Sequence, residues 1–571
     1  MGVDSRAVWR DLGWIVLLFL FVIAAGYGFR DPWPADEPRF AAVARDMALS
    51  GDWLFPRAGG DLYQDKPPVH FWLLAAAYSL VGSVRGSFLL PSLLASLGTL
   101  LLVYDMGRRL HGREAGLAAA LLLGSCVQFV LTTRGAQIDA TLVFVSTLAL
   151  WALLRHLLLG PDWRYCALGA FAAGVGVITK GVGFLPLLLL PLALGLRRAG
   201  GQGLTLPAPG GGGARWWLVP TAFLAAVSLW LVPMLVVVAS RGTPELLAYR
   251  DEILFQQTVT RYASAWHHVR PWYYFLVEVV PPLWLPLSAL LFWLLPRWRE
   301  DWARRRADVL LPLLWVLCVL LFFSLSPGKR GVYILPALPA LALAAAPHLA
   351  LLLQRPGVGR LSLAGGAVLL LPAWVLGVGQ LAGVERAREF LAGIELESLW
   401  PLWFFLAAGS AGWLWAWRCR RPVLAWPLLL ACLTVAWGVG VAPQINGVRT
   451  GSSFMREVQA RVPVGQTLGL VAYKEQFLLY LERPVVNFGH ARWREGEAES
   501  WDAARWLSAG ANRVLLVPES RLAPCFGPST RRPGGITSRE QWWLVSGPVD
   551  AACAAQGSLA RAIPYAPRPI R

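Results

Sequence analysis

Residues 12–40 read LGWIVLLFLFVIAAGYGFRDPWPADEPRF. An apolar run from Leu12 to Gly28 follows Arg6 and Arg10 and gives way abruptly to Arg30, then to Asp36-Glu37-Pro38-Arg39-Phe40. Such a run approaches the length needed to cross a hydrocarbon core of about 30 Å. No small-residue cleavage site ends it, and Tyr27-Gly28-Phe29-Arg30 follows, so it is expected to stay as a first membrane helix rather than be removed as a signal. The stretch therefore sets the frame for the whole chain. A span ends at the membrane surface and delivers two carboxylates and a cation there.

The rest of the sequence repeats the first half of that pattern. Of 571 residues, 56% are hydrophobic and only 15% charged. The mean hydropathy is +0.51, too apolar for a soluble protein of this size. Many of the 30 tryptophans flank apolar runs, as in Trp216-Trp217 and Trp413-Trp415-Trp417, which suits an interfacial aromatic belt. A net charge of +18 could suggest nucleic acid, but the basic residues sit in short clusters between apolar runs. That is the positive-inside pattern of cytoplasmic loops, so no nucleic-acid partner is expected.

Thirteen spans are expected, at roughly 12–29, 87–107, 114–131, 140–158, 165–179, 182–196, 216–239, 271–296, 308–324, 332–353, 361–382, 399–417 and 422–442. The apolar stretch from His70 to Gly82 is too short to span and is read as an interfacial helix. With the N-terminus inside, Arg108-Arg109, Arg197-Arg198, Arg297 to Arg306, Arg355 to Arg360 and Arg418 to Arg421 all fall on the cytoplasmic side. Counting 70–82 as a span would invert everything after it. The outside loops are then 30–86, 132–139, 240–270 and 324–331. Residues 1–442 form a transmembrane module. Residues 443–571 form an outside α/β domain.

In that tail, strands are expected at 467–471, 484–488, 513–517 and 542–545, with helices at 454–461 and 497–508, together a small three-layer domain. No catalytic residue is expected from it. Cys525 and Cys553 lie there. If the tail is outside, they can pair as a disulfide or remain two thiols. The other five cysteines lie in or beside apolar runs and behave as small hydrophobes.

Chemistry-bearing residues collect in the outside loops. After Asp36-Glu37-x-Arg39-Phe40 come Tyr63-x-Asp65-Lys66-Pro67, Arg134-x4-Asp139, Gln257-x3-Arg261-Tyr262, His268-x2-Pro271-Trp272-Tyr273-Tyr274, and Ser324-x4-Lys329-x3-Tyr333-x-Leu335-Pro336. Carboxylates and cations alternate on one face. A sugar on a lipid phosphate needs both. Breaking its anomeric C–O bond leaves an anionic phosphate that Lys and Arg can stabilise, while a carboxylate orients or deprotonates the acceptor.

These motifs, in this order over residues 36–336, resemble the polyprenyl-phosphate-dependent GT-C glycosyltransferases. The lipid A aminoarabinose transferases are the nearer resemblance and the protein O-mannosyltransferases a more distant one. The resemblance implies a GT-C helical fold and a periplasmic active site on a bacterial inner membrane. It implies a polyprenyl-phosphate-linked sugar as donor and a lipid A-like, glycan or protein acceptor. Asp36 would be the principal catalytic carboxylate, with Glu37 beside it and Asp139 a second acidic residue. Arg39, Tyr63, Lys66 and Arg261 would hold the carrier phosphate, helped by Lys329 and Tyr333. No cofactor is required. Aminoarabinose transferases carry a Glu where this chain has Asp65, and that Glu can share a divalent metal with a His equivalent to His268. Asp is one methylene shorter, so a zinc ion between Asp65 and His268 is in doubt.

Plainer uses exist for several of these residues. Asp36 and Asp139 can each cap a helix. Arg134, Arg270 and Arg330 can snorkel to headgroups. His267 and His268 are adjacent, so on a helix they point about 100° apart and cannot both face one ligand. Lys180, beside Gly181 and Gly183, belongs to no complete phosphate loop and is read as a half-buried charge at a helix end. The competing function is a membrane lipid or sugar-lipid transporter. Internal repeats and mid-membrane ionisable residues would mark one, and neither is evident.

Overall fold

The computed structural model describes residues 5–206, 212–254, 269–394, 396–490 and 492–566. These group into two compact units. One comprises 1–29, 65–70 and 89–443; the other comprises 30–64, 71–88 and 444–571. Residues 30–64 and 71–88 thus cluster with the tail, while 65–70 cluster with the helices.

The first unit is helical. Among the described residues, six helices are long and apolar enough to cross a membrane, and eight if each of two bent pairs is one span. The bent pairs are Arg113–Gly124 with Val127–Thr133, at 65°, and Phe275–Leu283 with Leu287–Ala303, at 108°. Pro281, Pro282 and Pro286 account for the sharper break, since proline cannot continue the helical hydrogen-bond ladder. Every expected span coincides with helical residues, several of them shorter or broken. The last helical run continues past the end expected for the last span, through Ala442–Thr450, and a turn at Gly451 precedes helix Ser452–Arg461.

Arg134 has a structural role here. Its guanidinium donates to the carbonyl oxygens of Val22, Ile23, Ala25 and Thr434 at 2.8–3.2 Å. The first three are carbonyls at the end of the first helical run, which the arginine satisfies directly, and the fourth lies on helix Ala425–Val435, so Arg134 ties the two together.

The second unit is built on a six-stranded mixed sheet in the order β6-β7-β5-β3-β4-β8. The strands are β3 Thr467–Leu470, β4 Val485–Asn487, β5 Arg513–Pro518, β6 Arg531–Thr537, β7 Glu540–Val545 and β8 Ile563–Tyr565. The four expected strands are present, and β6 and β8 are additional. β6 contains Pro533, Gly534 and Gly535 and an irregular register there, which hides its strand character in the sequence. The parallel pairs β3–β5 and β3–β4 form the centre. One sheet face packs Val471, Phe488, Leu515 and Val517 against Ala503, Trp506 and Leu507 of helix Ala498–Ser508. On the other, Phe454, Phe477 and Trp542 stack at 5.1–6.2 Å. Cys525 and Cys553 are joined as a disulfide, with Cα atoms 5.5 Å apart.

The first loop adds two pieces to this unit. A hairpin, β1 Arg57–Ala58 with β2 Asp61–Leu62, turns on Gly59 and Gly60, whose φ values of +63° and +91° favour glycine. Asn487 Nδ2 donates to the Gly59 carbonyl at 2.8 Å, which ties the hairpin to β4. Helix Glu37–Ser50 buries Phe40, Val43, Ala44 and Met47 and ends at Gly51, with φ +76°.

Candidate active site

In the second unit, Asp36 stands at the N-terminal edge of helix Glu37–Ser50. Its side chain makes no capping hydrogen bond. Instead Oδ1 accepts from Arg39 Nη2 at 2.5 Å, one turn along the helix. The spacing i, i+3 places the two side chains on one face. The other guanidinium nitrogen of Arg39 lies 3.5 Å from Glu475 Oε1, and Arg39 Cζ lies 5.6 Å from the Tyr63 ring centroid. Tyr63 is buried, edge-on to Phe71 and to His490. The first loop and the tail are therefore linked in a chain of contacts, from Asp36 to Arg39, from Arg39 to Glu475 and Tyr63, and from Tyr63 to His490. Glu475 and His490 lie more than 400 residues away in the chain and match no motif, so no spacing signal could have found them.

Glu37 goes elsewhere. Both of its carboxylate oxygens accept from Arg30, at 2.5 and 2.8 Å, and one also accepts from the Trp33 backbone N–H at 2.8 Å. Glu37 thus faces Arg30 and the Trp33 backbone, whereas Asp36 faces Arg39. Glu37 holds the loop entry in shape.

In the first unit, Asp139 opens helix Ile138–Leu158 and is buried. Lys180 Nζ donates to Asp139 Oδ1 and stands 4.9 Å over the Tyr333 ring centroid. Lys180 is therefore more than a helix-end charge. It joins two of the residues singled out from sequence. The helix Trp163–Lys180 delivers it, and Gly181 ends that helix with φ +64°. His70, three residues after Pro67 of the second motif, is fully buried, and its Nδ1 lies 3.0 Å from Thr141 Oγ1. Burial pushes its pKa down to about 3, against the opposing pull of Asp139, so the imidazole is neutral.

The remaining predicted residues are placed as follows. Asp65 and Lys66 are half-buried in the turn before helix Val69–Val81. Lys329 is buried and donates to the Arg270 carbonyl at 3.0 Å and to the Ser326 carbonyl, so it pins its own loop. Arg261 and His268 lie outside the described residues. Among the described residues, no group of three or more His, Cys, Asp or Glu is gathered as a metal site.

Each unit thus carries one charged set of its own. One is a carboxylate paired with an arginine beside a tyrosine. The other is a carboxylate paired with a lysine above a second tyrosine. Such sets can orient a hydroxyl or phosphate nucleophile and can hold an anionic leaving group.

Comparison with known proteins bears on the family and the fold. Residues 65–199 match the family described as dolichyl-phosphate-mannose-protein mannosyltransferase. The undecaprenyl phosphate-alpha-4-amino-4-deoxy-L-arabinose arabinosyl transferase of Pseudomonas aeruginosa is 32% identical over 457 residues, covering 76% of this chain and 75% of that protein. The enzyme of the same name from Serratia proteamaculans is 28% identical over 523 residues, covering 83% and 87%. Among solved structures, ArnT from Cupriavidus metallidurans bound to undecaprenyl phosphate superposes with a TM-score of 0.71 at 21% identity, covering 96% of this chain and all of that one, which establishes the fold. The chain belongs to the undecaprenyl phosphate-aminoarabinose arabinosyl transferase family, and it is a multi-pass membrane glycosyltransferase of GT-C fold that draws its sugar from a polyprenyl-phosphate carrier.

Proposed function

We propose that this chain transfers an aminopentose or related sugar from undecaprenyl phosphate to a lipid A-like acceptor on the periplasmic face of a bacterial inner membrane. The names of its relatives supply the sugar and carrier. Thirteen crossings, with residues 1–442 as the membrane module and 443–571 outside, put the first loop and the tail on one side. The positive-inside distribution of arginines supports that orientation. A glycan or protein acceptor is the alternative within the same reaction. Transport without transfer is not favoured, because the relatives are transferases.

Asp36 is the acceptor-side carboxylate. The acceptor oxygen attacks the anomeric carbon from the face opposite the phosphate, forming the new C–O bond with inversion. The old bond from that carbon to the phosphate oxygen breaks, and the phosphate leaves with the electron pair. If the acceptor is a hydroxyl, Asp36 takes its proton. If it is a phosphate, Asp36 has only to orient it. Arg39, Tyr63, Lys66 and Arg261 hold the carrier phosphate. Lys180 joins this set, with Asp139 and Tyr333 fixing where its ammonium stands. Lys329 and Glu37 support the loops. The zinc reading rests on Asp65 and His268 alone, two ligands where a structural zinc takes four, so no step is routed through a metal.

The observation that carries this reading is the Asp36 carboxylate, which leaves the helix N-terminus uncapped and faces Arg39 instead. The test is Asp36→Asn in a reconstituted assay with undecaprenyl-phosphate-linked sugar. Turnover should fall by about 10²–10⁴-fold, the usual share of a positioned acid or base, with donor binding retained. Turnover near the wild-type rate, or a product of retained configuration, would rule it out.

A further inference from the structure

A cavity of about 580 Å³ opens at the far end of the helical unit from Asp139. Its lining includes Arg155, Arg164, Arg215, Asp162, Trp163 and Tyr165. Arg155 and Asp139 lie on the same helix, Ile138–Leu158, sixteen residues apart, which is about 24 Å at ~1.5 Å per residue. Trp163 and Lys180 likewise lie at opposite ends of one helix. The cavity is thus at the other membrane face from the candidate active site, the face that carries the arginine clusters.

Its charge is unbalanced. Arg155 lies 4.0 Å from Asp105, but Asp105 also accepts from Arg108 and Arg109, so one carboxylate serves three arginines. Asp162 caps its own helix through the Arg164 backbone N–H. Arg164 and Arg215 are exposed and have no ion pair among the described residues. Residues 207–211, outside the described set, carry no charge that could supply one. Arg155 is held from behind by aromatic rings, 4.0 Å from the Tyr165 centroid and 5.0 Å from that of Trp151, and its buried Nε has no hydrogen-bond partner.

The surroundings are those of a membrane surface. Trp163 packs edge-on against Trp216 at 5.0 Å, and Trp217 is 71% exposed. Leu159 and Leu218, at the rim, are 44% and 40% exposed. A ligand here meets three guanidinium groups, a tryptophan belt and open apolar rim side chains. We propose that this cavity binds the phosphodiester headgroup of an anionic phospholipid of the cytoplasmic leaflet, with acyl chains running past Leu159 and Leu218. Arginine forks match phosphate oxygens, and basic pockets at helix ends on this face recruit anionic headgroups. A free phosphate ester offers the same anion without the chains, so the two sources can be separated.

The test uses full-length protein in mild detergent and native mass spectrometry. Phosphatidylglycerol is compared with phosphatidylcholine, and glycerol 3-phosphate serves as competitor. Wild type should retain phosphatidylglycerol in preference to phosphatidylcholine. Arg164→Gln with Arg215→Gln should weaken that retention by an order of magnitude or more, since each basic residue near an anionic membrane contributes about fivefold. Both side chains are exposed, so the fold should hold, and an unchanged Tm checks this. Arg418→Gln with Arg421→Gln removes the same charge elsewhere and should leave retention intact. Equal retention of the two lipids, or equal loss in both double variants, would overturn the proposal. Displacement by equimolar glycerol 3-phosphate would overturn the lipid assignment.

Discussion

At the residue scale, the motif residues divide by what they touch. Arg39 pairs with Asp36 and lies beside Tyr63, whereas Glu37 pairs with Arg30 and the Trp33 backbone. Glu37→Gln should therefore reduce stability and leave the pH profile of turnover unchanged, which separates it from Asp36. Lys180 was half legible. Its position at a helix end showed in the sequence, but its partner Asp139 comes from the preceding helix, and no spacing rule links residues 41 apart. The pair is nearly buried, with side chains 13% and 10% exposed. Lys180→Met leaves Asp139 as a buried unpaired charge and should cost about 3 kcal/mol of stability. Adding Asp139→Asn should recover most of that stability. Activity should stay low in the double variant if Lys180 also holds the carrier phosphate, and thermal unfolding beside turnover reads the two apart.

At the scale of elements, the short helix Val69–Val81 carries a pH dependence. It is read as interfacial, outside the spans. His70 has its pKa pushed down to about 3 by burial, against an ordinary value of 6.5. Between those values the unfolded chain binds a proton that the folded chain does not. Stability should therefore fall as pH drops from 6.5 towards 3. His70→Gln should flatten the fall in Tm between pH 7.5 and pH 5 relative to wild type, and a parallel fall in both would refute it. The tail offers a second test. Cys525 and Cys553 close a loop over 28 residues, and replacing both with Ser should cost about 2–4 kcal/mol. The tail strands were legible where apolar β-branched runs stood between turn residues. β6 was not, because its Pro-Gly-Gly centre looks like a turn and becomes a strand only through pairing with β7.

At the scale of the whole molecule, the topology is directly testable. The first loop and the tail are expected on one side, and accessible cysteines can report it. Position 59 is a poor label site, because Gly59 has φ +63° and a Cβ there would meet the Tyr473 hydroxyl at 2.7 Å. Ser50 and Ser508 are exposed and suit substitution by Cys. Cys419 is exposed beside Arg418, Arg420 and Arg421 and is a native label for the other face. An impermeant maleimide added outside should modify Ser50→Cys and Ser508→Cys but not Cys419. Any other partition would mean that the number of crossings is wrong.

The sequence by itself determined that the chain is a membrane enzyme built on apolar helices with a sheet-forming tail, and its ordered motifs carried the resemblance to its family. These follow from hydropathy, from charge asymmetry and from residues close together in the chain, all of which are local quantities. Only the tertiary structure decided that Glu475 faces Arg39, that Lys180 faces Asp139, that Arg134 clamps helix-end carbonyls, and that Arg155, Arg164 and Arg215 share one cavity. Each of those depends on bringing distant segments within a few ångströms, and a charge finds its partner only in that packed arrangement.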